Sequence, residues 1–220
     1  MSVDLKFGRR APVSGKTRQM VVVLHGYGAD GADLLGLADP LGPHLPDAVF
    51  YAPDAPDACS GNPFGRQWFG IPRFDGSTVD QAMAGLARSA EAVNDFLDVR
   101  LADEGLTPKD LILLGFSQGA MMALHMAPRR SAPIAGVVAI SGRLIAPERL
   151  AAEMLSKPPV LLMHGDRDDV VDFAEMAAAG TALVAAGFDT YGHVMAGSGH
   201  GIAPDGLQVA LAFMKDRLGV

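Results

Sequence analysis

The chain of 220 residues contains one cysteine, Cys59, so no disulfide can form within it and a reducing compartment suits it. Basic clusters are absent, and 18 Lys and Arg against 25 Asp and Glu leave a formal net charge of -7. A nucleic-acid backbone needs gathered cations to replace its counterions, so nucleic acid is excluded as a partner. No apolar run reaches about 18 residues, which excludes an integral membrane helix. The opening residues MSVDLKFGRR lack the basic start and apolar stretch of a secretory leader. The expectation is a soluble cytoplasmic protein. Repeats and linkers are also missing, and 220 residues are few for two independent cores, so residues 1–220 are expected to form a single domain.

Present instead is an alternation of two patterns. Apolar and β-branched runs recur at 20–24, 48–52, 111–114, 134–140 and 160–163, several of them apolar on consecutive positions, as strands covered on both faces are. Val79, Met83, Leu86, Ala90, Val93, Leu97 and Leu101 fall on one helical stripe, opened by Thr78 with Gln81 as a capping box. A second helix is expected to start at Asp172 with Glu175 completing its cap. A third runs from about Pro204, with Leu207, Leu211, Met214 and Leu218 on one face. Weaker strands are expected at 188–195 and, as an antiparallel edge, at 3–7. This order predicts an α/β fold: a mostly parallel sheet with helices on both faces, and ligands beyond the carboxyl ends of the strands. Residues 53–76, irregular but carrying Phe64, Trp68, Phe69, Ile71 and Phe74, are a candidate wall for the site.

Chemistry is then sought in strand-to-helix turns. The run Leu111-Ile112-Leu113-Leu114-Gly115-Phe116-Ser117-Gln118-Gly119-Ala120 is a buried strand entering G-x-S-x-G and then an apolar helix. A serine at such an elbow stands clear of the sheet at a helix N-terminus, where free N–H groups favour developing negative charge. A serine hydroxyl is a weak nucleophile at neutral pH, so a histidine must take its proton and a carboxylate must orient that histidine. Of six histidines, His25 and His44 precede the elbow and His125 lies too far along its helix. His164 closes a strand, where a packed or carbonyl-bonded ring fits, and His193 lies within the expected last strand. His200, in Gly197-Ser198-Gly199-His200-Gly201, sits on a loop that can reach across the sheet top, and is the candidate base. The acid is sought among Asp166, Asp168, Asp169 and Asp172. Asp172 is taken up as a helix cap and Asp166 by the turn, leaving Asp168 and Asp169.

Val21-Val22-Val23-Leu24-His25-Gly26-Tyr27-Gly28 is another buried strand ending in a glycine-flanked turn. Its backbone N–H at Tyr27, with that of Gln118 after the serine, is a candidate oxyanion hole, and His25 is expected to brace the loop. A phosphate loop is excluded, because no Gly-Lys-Ser/Thr ending follows the turn and Asp30 would repel the anion.

Leu24-His25-Gly26-Tyr27-Gly28, Gly115-Phe116-Ser117-Gln118-Gly119-Ala120, His164-Gly165-Asp166-Arg167-Asp168 and Gly199-His200-Gly201 together resemble the phospholipase/carboxylesterase family of α/β-hydrolases, which includes the acyl-protein thioesterases. The resemblance spans nearly the whole chain. It implies the α/β-hydrolase fold without a large cap domain, a triad of Ser117, Asp168 and His200, and oxyanion donors at Tyr27 and Gln118. It also decides for Asp168 over Asp169. The stretch from Gly61 to Phe69 is similar to a family loop carrying a tryptophan near the acyl pocket, which implies Trp68, Phe64 and Phe69 as substrate-binding residues, although Trp68 fits a plain core aromatic equally well. The implied substrates are small carboxylic or thiol esters, with no metal and no cofactor, and the resemblance leaves room for a homodimer. The related dienelactone hydrolases carry Cys at the elbow, where this chain has Ser117. Two rivals stay open: cleavage of peptide or carbon-carbon bonds by the same triad, and a non-catalytic binding protein of the same fold.

Overall fold

The computed structural model describes residues 4–59 and 62–220. Its strands are β1 (Phe7–Arg10), β2 (Gln19–Leu24), β3 (Ala48–Pro53), β4 (Asp57–Cys59), β5 (Asn62–Gln67), β6 (Leu111–Phe116), β7 (Gly136–Ile140), β8 (Val160–Gly165) and β9 (Thr190–Met195). Its α-helices are α1 (Gly31–Leu35), α2 (Ala38–Leu41), α3 (Pro72–Asp75), α4 (Val79–Glu104), α5 (Gln118–Met126), α6 (Leu150–Glu153), α7 (Ala174–Ala185) and α8 (Pro204–Leu218). Seven strands form one sheet in the order β1-β3-β2-β6-β7-β8-β9, with β4 and β5 paired separately as a hairpin. Within the seven-stranded sheet, among the described residues, only β1 runs antiparallel, against β3. The chain leaves β2 toward β3 on one side and returns to β6 on the other, so the strand order reverses between β2 and β6. A doubly wound sheet opens its ligand crevice at that reversal, beyond the carboxyl ends of the strands.

Period-2 alternation divides the buried strands between two cores. Val22, Leu24, Leu113, Val137 and Leu162 face a layer built by α4, α5 and α7, while Val21, Val23, Leu114, Val138 and Leu161 face α1 and α8. Helix α4 starts as its residues dictate: Thr78 and Gln81 form the reciprocal capping box, and Gly105, at φ 68°, ends it left-handed. Its apolar stripe buries Leu86, Val93 and Leu97 completely or nearly so. Each such side chain contributes roughly 1.5–3 kcal/mol of transfer free energy.

Four local expectations are corrected. The edge strand is β1 at Phe7–Arg10 rather than 3–7; Leu5 is drawn into the core, pairing begins at Phe7 opposite Pro53, and Val3 lies outside the described residues. Helix α7 begins at Ala174, and the expected capping box is not formed: Asp172 Oδ1 accepts from Ala174 N at 2.9 Å while Phe173 is the N-cap residue. The seventh strand of the sheet, β9, starts at Thr190, because Phe188 is buried against the α7 face. Residues 53–76 are not one loop but the β4–β5 hairpin followed by the short α3.

Candidate active site

Ser117 ends up where β6 meets α5, with φ 53° and ψ -115°, a region non-glycine residues rarely occupy. The flanking glycines answer to close approach: a Cβ on Gly115 would lie 2.3 Å from Gly119 O, and one on Gly119 would lie 1.9 Å from Leu24 O. Only bare backbone lets α5 dock against β2 this tightly. The hydroxyl is thereby held at the helix N-terminus, beside the reversal between β2 and β6.

Across the sheet top, His200 Nε2 lies 3.0 Å from Ser117 Oγ, and its Nδ1 lies 2.8 Å from Asp168 Oδ2. The Asp168 side chain is wholly buried. Its Oδ1 accepts from Val170 N at 3.0 Å and Val171 N at 2.9 Å. Burial pushes the Asp168 carboxyl up, yet the bonds from His200, Val171 and Val170 outweigh it and hold the group below the ordinary carboxylate range. An ionised carboxylate facing Nδ1 fixes the proton there, which leaves Nε2 a lone pair for the serine hydroxyl. Gly165 makes the reach feasible, since a Cβ there would strike Ser198 O at 2.4 Å and push the His200 loop off β8.

The other carboxylates of this turn are engaged elsewhere or lie in solvent. Asp166 Oδ1 accepts from Gly197 N at 2.6 Å, tying the two loops together, and Asp169 is exposed. His193 bonds Asp205 at 2.8 Å, and His164 bonds the Val171 carbonyl at 2.9 Å. Among the described residues no cluster of three or more His, Cys, Asp or Glu is placed to hold a metal ion.

The turn after β2 is braced from below and from the side. His25, fully buried and held below its ordinary value by that burial, has Nδ1 at 2.7 Å from Gly26 O and accepts at Nε2 from Ala55 N at 3.0 Å. The β4–β5 hairpin is zipped onto the same turn: Gly28 N donates to Arg66 O at 2.9 Å and Arg66 N to Ala29 O at 2.8 Å. Gln118 is turned inward, its Oε1 accepting from Trp68 N at 2.9 Å and its Nε2 donating to Phe69 O at 2.7 Å. Its backbone N–H belongs to the first turn of α5, which has no intrahelical acceptor.

A sequence model of the family described as phospholipase/carboxylesterase matches residues 11–218. The chain belongs to this family. The Esterase YpfH of Escherichia coli is 28% identical over 198 residues, covering 90% of this chain and 82% of that protein. Acyl-protein thioesterase 1 of Saccharomyces cerevisiae is 30% identical over 219 residues, covering 91% of this chain and 93% of its own. The crystal structure of esterase PE8 superposes with a TM-score of 0.93 at 44% identity, covering 98% of this chain and 100% of that one.

In this member of the family, Ser117 and His200 open into a cavity of about 770 Å³, within the range of small-molecule sites. Phe69, Ile71, Phe74, Met83, Met121 and Ile145 give it a mainly apolar wall. Phe69 lines this cavity, but Phe64 and Trp68 do not. Phe64 is 90% exposed on β5, whose alternation turns Gly65 toward the Gly28 backbone instead. Trp68 takes the core position: fully buried, it donates from Nε1 to His25 O at 2.9 Å and supports the turn from beneath. Gly61 of that stretch lies outside the described residues. Ile71 and Phe74 of the expected 53–76 wall also line the cavity, whereas Met83 was legible only as part of the α4 stripe. The first turn of α4 borders the cavity rather than the core, leaving Val79 69% exposed. At the rim, Arg73 bridges to Val170 O at 2.9 Å and covers the Phe74 ring at 4.5 Å.

Proposed function

We propose that the protein is a serine carboxylesterase that hydrolyses carboxylic or thiol esters with an apolar acyl group, through an acyl-enzyme on Ser117. The observation that carries this is the unbroken chain from Ser117 Oγ through His200 to the buried Asp168, opening into a mainly apolar cavity. Ser117 Oγ attacks the carbonyl carbon as His200 Nε2 takes its proton, and Asp168 stabilises the imidazolium. Negative charge gathers on the carbonyl oxygen, met by the N–H groups of Gln118 and Tyr27 and by the N-terminus of α5. His200 returns the proton to the leaving alcohol or thiol. It then activates water, which frees the acid and restores Ser117. Side chains and backbone of this chain supply every step.

The strained backbone at Ser117 supports a catalytic rather than a merely binding role, because such strain persists where function holds it. The same reading takes the 220 residues as one domain working in the cytoplasm; among the described residues no helix is long and apolar enough to cross a membrane. A homodimer belongs to this reading, and sedimentation of the purified protein tests it. The function itself is tested with aryl esters of rising acyl length. Turnover that peaks at one length and disappears in Ser117→Ala is the expected result. Turnover of no ester while a fluorophosphonate still labels Ser117 would favour another bond class on the same residues.

A further inference from the structure

His164 is a buried histidine that the reaction as written does not use. It stands at the end of β8, 1% exposed, with its ring edge-on to Phe173 at 6.0 Å. Its Nε2 faces two acceptors at once, Val171 O at 2.9 Å and Asp168 Oδ2 at 3.2 Å. Neither neighbour can donate, so the proton of this ring sits on Nε2, directed to Val171 O with Asp168 Oδ2 as its second neighbour. The acceptor Oδ2 is the same atom that takes the His200 Nδ1 proton at 2.8 Å. Asp168 thus accepts three hydrogen bonds, two from backbone N–H groups on Oδ1 and one from His200 Nδ1 on Oδ2, with His164 Nε2 a close fourth neighbour at 3.2 Å from Oδ2.

We propose that His164 is a positioning residue for the esterase reaction, holding Asp168 Oδ2 toward His200 and, by sharing that oxygen, limiting how basic the carboxylate makes His200. The inference rests on the reading of Ser117, His200 and Asp168 as the reacting chain. Three local restraints make the geometry specific. The Val171 carbonyl anchors His164, the Val170 and Val171 amides anchor Oδ1, and His164 itself settles the rotation of the carboxylate about its last bond. Without the His164 donor, Oδ2 keeps one partner only, its electron density serves His200 alone, and the imidazolium gains stability. The acid limb of activity, which reports protonation of the base, then moves to higher pH. Other charges around this pair are accounted for. Asp166 is held by Gly197 N, Asp172 by Ala174 N and Arg73 by Val170 O, while Asp33, Arg143 and Glu175 stand on the cavity wall that faces His200.

The test compares His164→Phe, which keeps a ring beside Phe173 but removes the donor, with His164→Gln, which restores an N–H at similar reach. For His164→Phe, kcat on an aryl ester falls about tenfold, KM stays within about twofold, and the acid limb of kcat/KM rises by about half a pH unit or more. His164→Gln recovers most of kcat and returns the limb toward its original pH. A limb that stays in place or moves to lower pH in His164→Phe, or a His164→Gln as impaired as His164→Phe, overturns the proposal. Should His164→Phe not fold, nitrogen-15 NMR of the unmodified protein decides: a proton on His164 Nε2 supports the role, and one on Nδ1 alone refutes it. Ser117→Ala run alongside separates the two levels. Full esterase activity in Ser117→Ala would bring down the underlying function, whereas its loss leaves the His164 result to stand on its own.

Discussion

Asp168→Asn changes one oxygen to an NH2 group in a place where every neighbour is a donor. Oδ1 faces Val170 N and Val171 N at 3.0 and 2.9 Å, and Oδ2 faces His200 Nδ1 and His164 Nε2 at 2.8 and 3.2 Å. A carboxamide has one acceptor oxygen, so its NH2 must oppose either the two amides or the two rings. The backbone amides cannot shed their protons, but an imidazole can move its own. The amide oxygen therefore stays with Val170 and Val171, and His200 adapts by shifting its proton from Nδ1 to Nε2. In that tautomer Nε2 has no lone pair for Ser117 Oγ, and the base is lost. The expected cost is about 10³–10⁴ in kcat, equivalent to roughly 4–5.5 kcal/mol of transition-state stabilisation. Losing the charge-assisted bonds of a buried carboxylate also lowers folding stability by about 2–4 kcal/mol. Initial rates on a short aryl ester at pH 7–8 measure the first effect, and denaturant unfolding the second. Asp169→Asn is the control: an exposed neighbour with no structural bond, expected within about twofold in kcat and about 0.5 kcal/mol in stability. An Asp168→Asn enzyme retaining a tenth or more of kcat, or an equal loss in Asp169→Asn, would mean that Asp168 does not orient the His200 ring.

Gly119→Ala should abolish activity and lower stability by about 2–4 kcal/mol, because its Cβ would enter the Leu24 carbonyl; Gly201→Ala, with nothing within 4 Å, should unfold like the parent in the same melting assay. His125 has a buried Nδ1 without a partner among the described residues, and burial, aided by the Arg129 charge, holds its imidazole down to about 4. The unfolded chain binds a proton there near pH 6.5 and the folded one does not, so stability falls as pH drops from 6.5 toward 4. Allowing for partial solvation, the loss by pH 5 is about 1–2 kcal/mol, and urea titrations of His125→Phe should show a flatter dependence. Glu104 anchors the other end of the sheet, accepting hydrogen bonds from Tyr51 Oη at 2.6 Å, Arg9 Nη2 at 2.8 Å and Thr17 Oγ1 at 2.8 Å. Burial pushes its carboxyl up, but these three bonds and the Arg9 charge bring it below the ordinary value. Its contribution is therefore complete above the unfolded carboxyl value and lost as pH falls through the folded one. Glu104→Gln should lower stability by about 1–3 kcal/mol at pH 7, with the difference shrinking below about pH 4 in the same titrations.

Strands buried on both faces were readable because continuous apolar runs have few other stable fates, and the two turns that matter follow directly from β2 and β6. His200 could be chosen from position alone. Asp168 could not: four acids share one turn, and what separates them is which one the amides of Val170 and Val171 enclose, a relation set by the loop's folded path. The β4–β5 hairpin escaped notice for a related reason. Its support comes from outside itself, through Arg66 and Gly65 pressed on the Gly28 turn, rather than from its own alternation. The same packing explains why three aromatics of one stretch part company, with Trp68 beneath the turn, Phe69 on the cavity and Phe64 in solvent. The second partner of Asp168 was hidden as well. His164 and Asp168 are four positions apart, and only the chain path from β8 into the loop brings their side chains to 3.2 Å.

The covalent step on Ser117 is the most directly measurable event of the proposed reaction. Mixing the enzyme with excess of a slowly hydrolysed aryl ester, quenching in acid and mapping the digested peptides by mass spectrometry reports where the acyl group resides. One acyl group on Ser117, formed with a stoichiometric burst of phenol and absent from Ser117→Ala, is the predicted result. Steady hydrolysis with no acylated peptide, or with the acyl group on any other residue, would contradict it.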